Sequence, residues 1–372
     1  MAAPEGLADV VAARSRVLLV GKGPPDRGGI SAFLQALLDS ALPTRFDVVL
    51  LNLTREGVSR SGRLTKANVA RTLTDVRSVW RAARARDLIH IHTALVPHVT
   101  MVRTGAMALI AKLRRCKTIV HVHGGRVALW LTSTRRRLLT RVCLAAADQV
   151  VAVSNGVGTL LSKSLGPDRV LVLDNGVDVA SYGPPGPPNE PLRILYAGVL
   201  TPRKGLIDLF RASELLLRRG IRHEVIVAGG APDEGPEAEA AVRSAATDAV
   251  RFLGPQPHES MPAVYQSADV FCLPSWWEAM PLSLLEAMAT GLPVVATTVG
   301  DIPRVVESDV SGHLVPPRNP DALADALAPL LQDPSLRSTM GAAGRRRVEA
   351  GLTLQHTMDA VADLYAAVLA RA

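Results

Sequence analysis

Short apolar runs rich in Val, Ile and Leu recur along the chain, separated by longer stretches with helical spacing. One series falls at 16–20, 47–51, 88–92, 118–121, 149–153 and 170–173; a second falls at 192–196, 224–228, 250–252, 270–273, 293–296 and 312–315. Runs this short and this uniformly apolar predict strands buried on both faces of a parallel sheet, with the helical stretches as crossovers. Between the two series lies residues 181–191, SYGPPGPPNEP, the densest Pro/Gly segment of the chain. The pattern predicts an α/β protein of two doubly wound domains facing each other across a cleft. The expected boundaries are a flexible N-terminus (1–14), a first Rossmann-like domain (15–180), a linker (181–191), a second Rossmann-like domain (192–353) and a last helical segment (354–372).

Composition narrows the class. With 372 residues, 48% of them hydrophobic, the chain can fill two cores, and 3% aromatic content means those cores are built from Ala, Val and Leu. Cys116, Cys143 and Cys272 are an odd number, widely spaced, with neither metal nor disulfide spacing, as expected for a reduced cytoplasm. No signal-peptide pattern opens the chain, and no apolar run reaches the ~18 residues that would span a bilayer. A soluble, cytoplasmic protein is expected. Its charge is uneven: residues 1–150 hold 24 Lys/Arg against 9 Asp/Glu, whereas the rest holds 18 against 25. A basic half joined to an acidic half points to an anionic partner for the former.

The most specific chemistry lies in residues 268–303. The run 270–273 ends in a loop carrying Glu278, and Glu278-Ala-Met-Pro-Leu-Ser-Leu-Leu-Glu286 leads into a helix of about two turns. Open α/β sheets bind ligands at the carboxyl ends of their strands, so both carboxylates can face one crevice. Upstream, Tyr196-Ala-Gly-Val-Leu-Thr-Pro-Arg-Lys-Gly205 joins a predicted strand to a predicted helix at 206–217. Glycine there lets backbone approach a ligand, and a lysine at a helix start can meet a diphosphate that the helix N-terminus also favours.

These two segments resemble the Glu-x7-Glu and Gly-Arg-Leu-x3-Lys-Gly motifs of glycosyltransferase family 4, the retaining enzymes of the GT-B fold. The resemblance implies transfer of a sugar from a nucleoside-diphosphate sugar, with that donor as a substrate and no cofactor or metal. It implies that Glu286 accepts hydrogen bonds from the nucleotide ribose and that Glu278 contacts the donor sugar. Backbone N–H groups of Ala279, Met280 and Leu282 would meet the sugar or diphosphate, and Ser283 a phosphate oxygen. Gly198 and Lys204 match the second motif, but Val199 stands where the family has the arginine that shares the diphosphate with the lysine. Arg203, beside Lys204, is the candidate replacement. In GT-B proteins the last helix commonly crosses back onto the first domain, and the same is expected of 354–372. No Asp-x-Asp occurs anywhere in the chain.

The first half is thinner in signal. Gly21-Lys-Gly23 opens a dinucleotide-like turn, but Asp26 stands where the third glycine belongs. Gly28-Gly29 at a predicted helix start instead resembles the family's N-terminal Gly-Gly loop near the donor phosphate. His121-Val-His123-Gly-Gly125 ends a strand, and the resemblance places the active-site histidine at His123. Zinc could use the pair, but no third ligand stands nearby; His90 and His92, at another strand end, read as core or rim histidines. In the segment 63–86, Val69, Leu73, Val76, Trp80 and Ala83 form one stripe, flanked by Arg63, Lys66, Arg77, Arg81 and Arg84. That is the pattern of a helix lying on an anionic membrane surface, and also of a helix packed on a core with a solvated flank. HVHGG and this basic helix are similar to those of enzymes extending lipid-linked cell-surface glycans, so the expected acceptor is a glycan or lipid-linked intermediate. No aromatic-rich stacking surface accompanies the arginines, so nucleic acid is not an expected partner. Two other readings stay open: a GT-B-shaped subunit that binds without transferring, and a transferase acting on a small soluble metabolite.

Overall fold

The computed structural model describes residues 15–26, 28–54, 65–85, 87–230 and 235–371. The predicted N-terminal segment 1–14 and Arg63 of the basic helix lie outside them. Within the described residues, twelve strands form two parallel six-stranded sheets. The first contains β1 (Arg16–Gly21), β2 (Asp47–Asn52), β3 (Leu88–Thr93), β4 (Lys117–Val122), β5 (Gln149–Ala152) and β6 (Val170–Val172), in the order β2-β1-β3-β4-β5-β6. The second contains β7 (Leu192–Ala197), β8 (His223–Ala228), β9 (Val250–Gly254), β10 (Val270–Leu273), β11 (Val294–Thr297) and β12 (Gly312–Val315), in the order β12-β11-β10-β7-β8-β9. This is the GT-B architecture of two Rossmann-like domains.

Strand order fixes where ligands can go. Chain direction along the sheet reverses between β1 and β3 in the first domain and between β7 and β10 in the second, and the crevice beyond the strand carboxyl ends opens at those points. Lys204 and Glu278 lie just after β7 and β10.

Alternation sorts the first domain's core into two layers. Leu18, Val20, Ile89, Ile91, Val120 and Val122 pack on one face of the sheet. Val17, Leu19, Leu88 and Ile119 pack on the other, beneath the helices Gly29–Asp39 and Leu354–Ala370. The C-terminal helix reaches that face with Met358, Val361, Tyr365 and Val368, so it belongs to the first domain's core although it follows the second domain in sequence. Where the chain crosses between domains, Val177 N–H donates to Leu352 and Leu354 N–H to Val177, at 3.0 and 2.8 Å. The two crossings therefore lie side by side. The Pro/Gly segment is tied to the second domain: Gly186 N–H donates to Gln266, and Asn189 bonds Asp269.

Helix Lys66–Ala82 splits the Trp80 stripe. Its buried positions are Asp75 and Val79, while Val69, Leu73 and Trp80 point outward, Leu73 being 66% exposed. Val76 and Ala83 of the same stripe pack on the first domain's core, so the stripe is divided between a packed part and an exposed part. What turns the helix this way is the buried Asp75 carboxylate, which accepts from Arg103 on the neighbouring helix His98–Leu113.

Candidate active site

The donor side is built from the two loops at the switch point of the second sheet. After β7 the chain turns through Gly198 and a short 3-10 turn, Pro202–Lys204, and enters helix Leu206–Arg218. Gly205, at φ 72°, sits where an added Cβ would collide with the Pro274 carbonyl; no other residue fits this left-handed turn against the neighbouring loop. That close approach brings Lys204 Nζ to Glu278 Oε1 at 2.5 Å, and Ser275 Oγ donates to the same oxygen at 2.7 Å. Lys204 and Glu278 are 16% and 10% exposed, a nearly desolvated ion pair in which each charge holds the other. Arg203 and Glu278 both act electrostatically on the buried Tyr196 hydroxyl, so Arg203 shares this neighbourhood, and Tyr196 itself donates to the Val199 carbonyl at 3.0 Å.

Helix Leu282–Thr290 starts one residue before Ser283, after Pro281, and its first N–H groups have no partner within the helix. The loop ahead of it is anchored by its carbonyls: Asp301 N–H donates to Ala279 at 2.9 Å and Asn175 Nδ2 to Met280 at 2.7 Å. Glu286, one turn into the helix, accepts from Tyr265 OH at 2.6 Å and from Tyr182. Burial raises the Glu286 carboxyl above the usual range, opposed by those two hydroxyls. A carboxylate with a further acceptor capacity, preorganised by two phenols, suits a diol.

The first domain meets this loop directly. A Cβ on Gly125 would lie 2.6 Å from the Glu278 carbonyl carbon, so the His121–Gly125 segment presses its backbone against the Glu278 loop. Asp301 accepts from Asn155 and Gly156 N–H at the start of helix Asn155–Leu165, and Arg304 holds Asp174 through two parallel bonds. Gly28 caps helix Gly29–Asp39, and a Cβ on either Gly28 or Gly29 would meet open space. Neither glycine is demanded by packing, which leaves room for a ligand there.

His123 does not stand alone. β3 and β4 are neighbours in a register that sets His92 opposite His121, and alternation puts His90, His92, His121 and His123 on one face. The sequence reading that no further imidazole lies near the His121–His123 pair is therefore corrected: His90 and His92 join it across the strand pairing, and His92 Nδ1 lies 3.1 Å from His123 Nε2. Phe33 packs against three of the rings, and Tyr365 OH bonds His90 Nδ1 at 2.6 Å. Burial lowers all four imidazoles far below their ordinary pKa, His90 and His123 to about 3, so they are neutral. Two His-x-His pairs on consecutive predicted strands were the visible signal. Tyr182, Tyr265, Ser275, Asn175, Asp301 and Arg304 carried no local signal at all.

Two family models match the chain: glycosyltransferase family 4 over residues 27–181 and glycosyl transferases group 1 over residues 183–347. Among curated relatives, the D-inositol 3-phosphate glycosyltransferase of Saccharomonospora viridis is 32% identical over 309 residues, covering 76% of this chain and 70% of its own. The glycogen synthase of Mycobacterium tuberculosis is 27% identical, covering 77% and 69%. Among solved structures, sucrose-phosphate synthase from Thermosynechococcus elongatus superposes with a TM-score of 0.79 at 21% identity, covering 96% of this chain and all of that one. Anabaena HepE in complex with UDP-glucose does so with a TM-score of 0.76 at 18% identity, covering 94% and 99%. The chain is a GT-B glycosyltransferase and belongs to glycosyltransferase family 4.

Proposed function

We propose that this enzyme moves a sugar, with retention of anomeric configuration, from a nucleoside-diphosphate sugar to a hydroxyl of a lipid-linked or cell-surface glycan intermediate at an anionic membrane face. The observation that carries the donor half is the Lys204–Glu278 pair at the β7/β10 switch point, with the His123 loop packed on the Glu278 backbone. Lys204, with Arg203 in place of the arginine that Val199 replaces, takes the diphosphate charge as it develops on the leaving group, work that needs no metal. The N–H groups of Ala279, Met280 and Leu282 and the Ser283 hydroxyl cradle the diphosphate or sugar, aided by the helix start. Glu286 holds the ribose, Glu278 the sugar hydroxyls, and His123, kept neutral by burial, offers a hydrogen bond near the reacting carbon. Gly28 and Gly29 leave the acceptor and phosphate room to approach, and Gly198 does the same beneath the donor. The leaving phosphate oxygen takes the acceptor's proton on the same face of the sugar. Closure about residues 176–191 excludes water and so limits hydrolysis.

The acceptor half rests on the outer surface of the first domain. The helices Lys66–Ala82, His98–Leu113 and Thr134–Cys143 lie side by side. They expose Leu73, Trp80, Leu109, Leu113, Leu138 and Val142 among arginines and lysines. Among the described residues no helix is long and apolar enough to cross a membrane, so contact with lipid would be interfacial. A second reading is favoured by the relatives' name: D-inositol 3-phosphate glycosyltransferases point to a small phosphorylated polyol as acceptor. Flotation with vesicles containing anionic lipid, against neutral vesicles, separates them. Salt-sensitive flotation supports the lipid-side acceptor. No flotation, together with turnover on a soluble inositol phosphate, supports the second. The anomeric configuration of the product, read by proton NMR, tests retention.

A further inference from the structure

The histidine cluster contains more hydrogen-bonding capacity than it uses. His90 Nε2, His92 Nε2 and both nitrogens of His121 are buried with no hydrogen-bond partner, an arrangement that calls for a reason. A metal is one reason to weigh. One nitrogen from each of His90, His92 and His121 falls within a 4.8 Å group. Zinc–nitrogen bonds of about 2.0–2.1 Å require nitrogens about 3.4 Å apart, so the rings would have to contract around an ion. No carboxylate joins the group among the described residues, so two positive charges would be buried without an opposing one.

The connections that are made point elsewhere. A neutral imidazole carries one N–H, so in the 3.1 Å contact between His92 Nδ1 and His123 Nε2 one ring must donate and the other accept. Whichever atom His92 presents thereby decides which nitrogen of His123 carries its proton. His123 Nδ1, the remaining nitrogen of this half-buried residue, is left as a donor if His92 donates and as an acceptor if His92 accepts. The His92 ring in turn lies against that of His90, centroids 4.0 Å apart and tilted by 40°, and Tyr365 holds His90 from the C-terminal helix. We infer that His92 is a positioning residue for sugar transfer: it fixes the ring orientation and the tautomer of His123, so that His123 presents one defined hydrogen-bonding atom to the donor sugar. This rests on the reading that His123 faces the sugar.

The test uses the full chain labelled with 15N-histidine, whose ring nitrogen shifts report the tautomer without any turnover. The wild type should show His123 as a single neutral tautomer, His92→Leu should show averaged shifts, and His92→Asn, whose amide replaces the Nδ1 position, should restore one tautomer. Averaged shifts in the wild type, or unchanged shifts in His92→Leu, would overturn the inference. Slow hydrolysis of UDP-glucose supplies the kinetic arm: kcat should fall about tenfold or more in His92→Leu with KM within about twofold, and recover in part in His92→Asn. Equal losses in both variants, or a loss confined to KM, would mean a merely structural role. If His123→Ala leaves hydrolysis untouched, the role of His123 itself is wrong, and the tautomer measurement still stands or falls alone. One bound zinc per purified chain, whose removal by a chelator shifts the His92 signals, would overturn the inference in favour of a metal site. Should His92→Leu fail to fold, His92→Asn and the wild-type spectrum carry the test.

Discussion

The two faces of the cleft solve opposite electrostatic problems. The second domain presents a nearly desolvated salt bridge, Lys204 to Glu278. The first domain presents four imidazoles that burial keeps neutral, with His92 bonded to His123 and His90 to Tyr365. On the proposed function, the charged pair would meet the leaving diphosphate and the neutral imidazoles the sugar hydroxyls. The bulk charge runs the other way: the half with the neutral histidines carries the arginine surplus, with Arg77, Arg81, Arg135, Arg136, Arg137 and Arg141 exposed on its helices. On that proposal, attraction to an anionic surface and stabilisation of a leaving group would fall to different domains.

The largest effect should come from the charged face. Lys204→Ala is expected to lower kcat/KM for the donor by about 10²–10³-fold, the range for loss of one transition-state charge partner, as measured by donor turnover. Lys204→Arg should not recover it, since a planar fork does not replace a compact ammonium held on Glu278 Oε1, the oxygen that Ser275 also bonds. Next, Glu286→Gln should weaken nucleotide binding by calorimetry about tenfold while leaving the melting temperature unchanged or raised. Burial already opposes this carboxyl's ionisation, so its charge is held for function rather than for stability.

The neutral face makes a pH prediction. His90, His92 and His121 have folded-state pKa values depressed below the unfolded value near 6.5. Below that value the unfolded chain binds protons that the folded chain refuses, so stability must fall as pH drops from about 6.5 towards 3. Each such histidine contributes a slope approaching about 1.4 kcal/mol per pH unit, and denaturant melts at stepped pH should flatten in His121→Phe. The smallest effect on the cleft, and the sharpest on the outer surface, should come from Leu73→Glu with Leu113→Glu. Both residues are about two-thirds exposed, so stability should move by no more than about 0.5 kcal/mol each. Flotation with anionic vesicles should be lost while donor hydrolysis is unchanged.

How much of this was legible in the sequence differs between the domains for a physical reason. The strands could be read because parallel strands buried on both faces are continuous apolar runs, and Lys204, Glu278 and Glu286 because their spacing is local. Tyr182 and Tyr265 holding Glu286, or Asp301 reaching Asn155, depend on tertiary approach across many residues and leave no periodic trace. The His cluster was half legible: each His-x-His pair announces one face of a strand, but that the two strands are neighbours is a fact of topology. The Trp80 stripe was half legible for another reason. An apolar stripe tells that a face avoids water, not whether protein or lipid covers it, and here the buried Asp75–Arg103 pair decides the helix's orientation.

The most direct test of the account is a thermal-shift series with UDP, GDP, ADP, TDP and CMP on the wild type and on Glu286→Ala. A ligand that binds only the folded state raises its melting temperature with concentration relative to Kd. The account predicts stabilisation by one nucleoside diphosphate, lost in Glu286→Ala at unchanged basal stability. A well-folded wild type that none of the five stabilises would contradict it, and would leave Val199 in the place of the diphosphate arginine as the mark of a subunit that no longer transfers.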